Sequence, residues 1–127
     1  GLCEMASARF NRLTTQNRFE VVHGLYDKTL PSVLKSRIRF DLVFIDGNHQ
    51  YEATLKYFEL VKNNLTDGAL VIFDDIHWSK GMRKAWEEIG VQKEIAFSIN
   101  FFKLGIIVFD PKQTKPTHDH HQLFLSM

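Results

Sequence analysis

Two runs of apolar residues, each followed directly by aspartate, most constrain how this chain can fold. The first is Asp41–Ile45, followed by Asp46, and the second is Ala69–Phe73, followed by Asp74 and Asp75. Continuous Val, Ile, Leu and Phe residues are typical of strands buried on both faces, and an amphipathic helical segment joins the two runs. The stretch therefore predicts a βαβ unit in a parallel sheet, with carboxylates at the edge where open α/β folds bind ligands.

The segments around this unit predict one α/β domain over residues 1–110 and a polar tail over residues 111–127. Further strands are predicted at Phe19–His23, Glu94–Asn100 and Leu104–Asp110, the last two as an antiparallel pair. Helices are predicted at Glu4–Leu13, from Thr29 to Arg37, at Tyr51–Leu65, and after the capping residue Ser79. That last helix is expected to bury Met82, Ala85, Trp86 and Ile89 and to end at a left-handed Gly90. Asp67-Gly68 predicts a turn before the second apolar run.

Composition excludes several classes of function. A net charge of +1 gives no electrostatic reason to expect nucleic acid or an anionic membrane as a partner. No apolar stretch approaches the ~20 residues that span a bilayer. The single Cys3 cannot form an internal disulfide, which favours a reducing, cytoplasmic location.

The segment Ile45–Tyr51 reads IDGNHQY, and Asp67–Asp75 reads DGALVIFDD. With the order of elements, these motifs resemble class I S-adenosylmethionine-dependent methyltransferases, nearest to the small-molecule O-methyltransferases that have an I-D-G-x-H-x-Y segment after the fourth strand. The resemblance extends from about Met5 to Asp110. It implies a Rossmann-like sheet of seven strands in the order 3-2-1-4-5-7-6, mostly parallel, with an antiparallel pair at the C-terminal end.

The same resemblance implies that the domain is truncated at its N-terminal side. No glycine-rich GxGxG turn is present, and the chain begins at the helix that follows the family's second strand. Gly24 and Leu25 then occupy the position after strand three that meets the adenine of the cofactor, although the family often has an acid there. Asp46 and His49 complete the cofactor-binding residues that the resemblance implies. Whether the chain alone is an active enzyme stays open.

By the resemblance, Asp46, Asp74 and Asp75 would hold a divalent ion such as Mg²⁺, because hard cations prefer carboxylate oxygens. Such an ion orients the acceptor and lowers the pKa of its hydroxyl group. The alternative is that these aspartates cap the turns and helices that follow them.

Asp46 and His77 are the candidate catalytic residues, with His77 as a general base or a metal ligand. The other histidine of the crevice, His49, is expected mainly to shape its loop by donating to a backbone carbonyl. Trp78 either packs against an acceptor ring or staples the helix that follows.

The leading function that the resemblance implies is methyl transfer from S-adenosylmethionine to an oxygen or nitrogen of a small-molecule acceptor, with weak or no activity expected of the truncated domain alone. The alternative is a non-catalytic binding or assembly module that keeps the fold, and a third reading is a metal-dependent hydrolase that uses Asp46, Asp74, Asp75 and His77. Without strands one and two, the Asp41–Ile45 strand would leave a long apolar edge, so we expect a homodimer that covers it.

Overall fold

The computed structural model describes residues 1–112 and 120–122, and the side chains of Gln16 and of residues 120–122 are not described. Gly1–Ser36 form one compact unit and Arg37–Met127 another. None of the described helices combines the length and the apolar character needed to cross a membrane.

The first unit holds two helices, α1 at Leu2–Leu13 and α2 at Tyr26–Lys35, with a 3₁₀ turn at Gln16–Arg18 between them. The prediction of α1 is confirmed, and α2 begins three residues earlier than predicted. The strand predicted at Phe19–His23 is wrong, because this extended segment finds no described strand to pair with.

The second unit is built on a five-stranded sheet in the order β1-β2-β4-β3-β5. Its strands are β1 Phe40–Ile45, β2 Leu65–Phe73, β3 Ile95–Phe101, β4 Leu104–Phe109 and β5 His120–Gln122. The β1–β2 and β3–β5 pairs are parallel, and β4 runs antiparallel to both of its neighbours. The order β1-β2-β4-β3 reproduces the 4-5-7-6 half of the family sheet, so the predicted Rossmann-like α/β fold with a C-terminal antiparallel pair is confirmed.

The polar tail was predicted to begin at residue 111. The strand β5 lies within this tail and was not predicted, because its local sequence does not indicate that it pairs with β3. The rest of the tail, residues 113–119 and 123–127, lies outside the described residues.

The start of β2 departs from the prediction. The helix before it ends at Lys62 rather than at Leu65, and Leu65 is instead a buried strand residue opposite Phe40. The next regular pair is Leu42 with Leu70, so four residues of β2 oppose one residue of β1. Gly68, at φ +81°, lies in this irregular stretch, where a residue without a Cβ adopts a positive φ at little cost.

Two helices, α3 at Tyr51–Lys62 and α4 at Lys80–Gly90, contribute buried faces to the core. The Ser79 hydroxyl accepts a hydrogen bond from the backbone N–H of Met82 at 3.0 Å, which confirms the predicted cap. The predicted buried face of α4 is also confirmed. The left-handed ending is wrong, since Gly90 is the last helical residue and the helix is capped by Val91 at φ −96°.

The core lies between these helices and one face of the sheet. Phe73 contacts Phe58 of α3 and Trp86 of α4, with ring centroids 5.9 Å apart in both pairs. Gly105 of β4 lies under the Trp86 ring so closely that an added Cβ would come within 2.5 Å of its Cζ3 atom. A side chain at position 105 would therefore displace the indole from the core.

A polar cluster joins the start of α3 to α4. The Tyr51 hydroxyl donates to the Glu88 carboxylate at 2.7 Å, and the Lys84 ammonium lies 4.5 Å from the centroid of the Tyr51 ring. The hydrogen bond to Glu88, aided by burial and by the negative charge of Glu88, raises the pKa of Tyr51 above its usual value of 10.0.

We expect Gly105→Ala to lower the free energy of unfolding by about 1–3 kcal/mol, because the new methyl group overpacks the Trp86 site. Urea denaturation followed by circular dichroism measures the change. Gly81→Ala is the matched control, since the nearest atom to its Cβ would be Tyr51 Cβ at an ordinary contact distance of 3.4 Å. Equal losses of unfolding free energy in the two variants would contradict the close approach of the Trp86 ring to Gly105.

Glu88→Gln should lower the pKa of Tyr51, because it removes the negative charge that disfavours the phenolate. A pKa raised by folding stabilises the fold below the unfolded value, and this contribution is lost as the pH rises through the folded pKa. Nuclear magnetic resonance titration of labelled tyrosine rings measures the shift. Glu87→Gln, at the neighbouring exposed position on α4, should leave the pKa of Tyr51 unchanged.

Candidate functional site

The ends of β1 and β2 bring the predicted acids to one edge of the sheet, here called the rim. Ile45 and Phe73 are paired residues of the two parallel strands, and Asp46 and Asp74 follow them directly. The backbone N–H of Asp74 donates to the Ile45 carbonyl at 3.0 Å, so the ladder continues to the point where the carboxylates begin. The two loops therefore leave the sheet side by side.

His49 lies between carboxylates from both loops. Its Nε2 atom is 3.8 Å from Asp46 Oδ1 and 3.8 Å from Asp75 Oδ2, and the side chain is 23% exposed. The loop-shaping role predicted for His49 invoked a backbone carbonyl. In the structure, the Nε2 atom of the ring lies near two carboxylates instead.

Lys103 is a rim residue that sequence reasoning missed. It lies in the turn between β3 and β4, with its ammonium group 3.4 Å from Asp75 and 3.9 Å from Asp74. The Lys103 carbonyl also accepts a hydrogen bond from the backbone N–H of Ile76 at 3.0 Å, which fixes the turn against the loop after β2. Its position follows from the pairing of β4 with β2. The strand order of the family places these two strands side by side and could have predicted it.

His77 and Trp78 occupy different surroundings at the rim. The Phe102 backbone N–H donates to Asn100 Oδ1 at 2.9 Å, which turns the Asn100 amide nitrogen toward His77 Nε2 at 3.1 Å. The same His77 Nε2 atom lies 3.3 Å from Asn100 Oδ1, so the Asn100 amide orients the imidazole ring. Trp78 is 72% exposed, and its ring centroid lies 6.3 Å from that of His49. Most of the indole surface is therefore not used in a hydrophobic staple against α4.

Backbone strain is concentrated at the rim. Asn48, Asp75 and Phe102 are the only residues other than glycine with positive φ in the described ranges, at 48°, 53° and 62°. Each belongs to a different one of the three rim loops. Such strain persists only where the surrounding structure fixes the backbone, and it is common at binding and catalytic sites.

The charges at the rim do not balance. Three carboxylates, those of Asp46, Asp74 and Asp75, lie with one ammonium group, that of Lys103. Asp46 has the most exposed side chain of the three acids at 53%, against 17% for Asp74 and 21% for Asp75. This excess of carboxylates over ammonium groups favours a cationic group at the rim.

The described residues contain no group of three His, Cys, Asp or Glu side chains placed to hold a metal ion. Lys103 supplies the positive charge beside Asp74 and Asp75 instead. The present donor set does not fit Mg²⁺, and the roles of Asp46, Asp74 and Asp75 as metal ligands stay a prediction.

Gly24 and Leu25 belong to the first unit, where they begin α2. Gly24 has φ +152°, and a Cβ there would lie 2.6 Å from Thr29 Cγ2, so the position suits glycine for local reasons. Leu25 is the N-cap residue of α2, and its side chain is 70% exposed. Their predicted contact with the adenine of the cofactor stays a prediction, as does cofactor binding by Asp46 and His49.

Comparison with curated proteins gives no match. A family described as a methyltransferase domain matches residues 3–76, which is more than half of the 127 residues and includes Asp46, His49, Asp74 and Asp75. This match agrees with the strand order and with the acids at the ends of β1 and β2. The chain therefore belongs to this family of methyltransferase domains.

Proposed function

We propose that the chain transfers a methyl group from S-adenosylmethionine to an oxygen or nitrogen of a small acceptor at the rim. S-adenosylmethionine carries its methyl group on a positively charged sulfonium, which the acceptor atom displaces in line. Little beyond proximity, orientation and a deprotonated acceptor is needed for such a displacement. The rim supplies groups for each of these requirements.

The observation that carries the proposal is the excess of negative charge at the rim, where three carboxylates lie with one ammonium group. A sulfonium cation is stabilised there, whereas its neutral thioether product is not. The rim therefore distinguishes the two forms by charge, and Asp46 contributes most directly because its carboxylate is the most exposed.

The remaining rim residues suit the acceptor. The His77 imidazole, which Asn100 orients through Nε2, would take up the acceptor proton, and Asp46 would hold the acceptor by a hydrogen bond. Trp78 and Phe102, which are 72% and 76% exposed, offer aromatic surface to an acceptor with an apolar face. His49 would keep the loops after β1 and β2 together through its two carboxylate contacts.

The second candidate is a binding or assembly module that keeps the fold without the reaction. The observation that favours it is that two of the rim acids already have partners, since Asp74 and Asp75 lie 3.9 Å and 3.4 Å from the Lys103 ammonium group. In this reading the aspartates act as structural residues. The Asp74 carboxylate accepts from the backbone N–H of Asp75 at 2.9 Å, as expected of an acid that caps its own turn.

We expect S-adenosylmethionine to bind weakly, with a Kd above the micromolar range, and more tightly than S-adenosylhomocysteine, because only the former is a sulfonium cation. Asp46→Asn should reduce that preference about threefold to tenfold by removing one exposed charge of the rim. Isothermal calorimetry with both compounds measures the ratio of the two affinities.

Asp67→Asn is the control for this experiment. Asp67 lies near the other end of β2, and its carboxylate pairs with Lys112, so its removal should leave the ratio unchanged. No binding of either compound at millimolar concentration would contradict the methyltransferase proposal and favour the non-catalytic module. Equal effects of the two substitutions would contradict the role of Asp46.

A further inference from the structure

The turn between β3 and β4 is held against the loop after β2 by backbone contacts. The Ile76 N–H donates to the Lys103 carbonyl at 3.0 Å, and the Ile76 side chain is fully buried. Within the turn, the N–H of Phe102 donates to Asn100 Oδ1 at 2.9 Å, and Phe102 itself has φ +62°. The Lys103 side chain therefore starts from a fixed point beside the two aspartates of that loop.

The Lys103 ammonium group lies against both aspartates that follow β2. It is 3.4 Å from Asp75 Oδ1 and 3.9 Å from Asp74 Oδ1. The Lys103 side chain is itself 65% exposed, but those of Asp74 and Asp75 are only 17% and 21% exposed. Salt screens a pair with partly buried members less than it screens a pair in open water. The ammonium group is therefore a lasting positive charge beside the two acids.

Oxygens of both carboxylates already have contacts. Asp75 bridges two residues, since Oδ1 faces the Lys103 ammonium group and Oδ2 lies 3.8 Å from His49 Nε2. Asp74 Oδ1 accepts the backbone N–H of Asp75 at 2.9 Å and also faces the ammonium group. A divalent ion that took these oxygens as ligands would disrupt or share these contacts, and it would lie close to a like charge.

We propose that Lys103 is a selectivity residue of the rim, whose ammonium group keeps divalent metal ions off Asp74 and Asp75. Repulsion from a fixed positive charge doubles when the approaching cation carries two charges instead of one. Lys103 therefore opposes Mg²⁺ more strongly than it opposes a singly charged sulfonium. The third acid, Asp46, lies 3.8 Å from His49 Nε2 and is 53% exposed, which leaves it as the carboxylate for a singly charged cation.

This selectivity goes beyond methyl transfer, because it concerns which cations the rim accepts whether or not the chain is an active enzyme. For the proposed reaction, it means that side chains of the rim orient the acceptor without a bound metal ion. Lys103 then takes the place of the divalent ion that the resemblance implies. The disagreement between that ion and the residues present has a specific cause, the position of one lysine in the β3–β4 turn.

Binding of Mn²⁺, a paramagnetic substitute for Mg²⁺, tests the proposal on the whole chain by electron paramagnetic resonance. The wild-type chain should bind Mn²⁺ with a Kd in the millimolar range or weaker. Lys103→Met keeps an apolar stem of similar length and removes the charge, so it should tighten binding at least about tenfold. Lys103→Arg keeps the charge and should bind Mn²⁺ as weakly as the wild-type chain.

Lys112→Met is the matched control, because it removes the same charge from another pair of lysine and aspartate. The partner of Lys112 is Asp67, near the end of β2 that is far from the rim, so the affinity for Mn²⁺ should stay unchanged. Adding Asp75→Asn to Lys103→Met should abolish the gain, which assigns the ion to the rim. The histidines of residues 118–121 are common to all variants, so the differences between variants report on the rim.

Lys103→Gln is a second neutral variant, and circular dichroism checks that each variant is folded. Micromolar binding of Mn²⁺ by the wild-type chain that Asp75→Asn abolishes would overturn the proposal, as would unchanged affinity in both neutral variants. An equal gain in Lys112→Met would also overturn it, because the effect would then come from net charge. Failure of S-adenosylmethionine to bind would contradict the proposed function without changing any of these outcomes, so the two proposals can fail separately.

Discussion

The parallel pairing of β1 with β2 is the interaction on which the rim depends. The register that pairs Ile45 with Phe73 ends both strands at the same level, so Asp46 and Asp74 leave the sheet side by side. The irregular start of β2 preserves this register, since the extra residues are taken up near Gly68, at the end of the strand far from the rim. A slip of one residue in the regular part would reverse the faces of β1 and move Val43 and Ile45 away from the helices.

The β3–β4 hairpin completes the rim from the other side of β2. Because β4 pairs with β2 and runs antiparallel to it, the turn at Phe102-Lys103 arrives beside the loop after β2. The turn then supplies the one ammonium group among the acids, and Asn100 orients His77 from the same hairpin. Two segments separated by about thirty residues of sequence thus share one electrostatic environment, and neither would have it alone.

Local signals in the sequence predicted local structure well. The Ser79 cap, the buried spacing of α4 and the short link between β3 and β4 depend on residues close together in the chain, and each was recovered. Two failures are local, since α3 ends at Lys62 rather than Leu65 and Gly90 is still helical. The other failures involve distant partners. Phe19–His23 has the composition of a strand but pairs with none of the described strands, whereas β5 pairs with β3 without a strand-like composition. The positions of the rim acids could be predicted because each acid directly follows the end of a strand. Predicting the position of Lys103 required the order of the strands in the sheet.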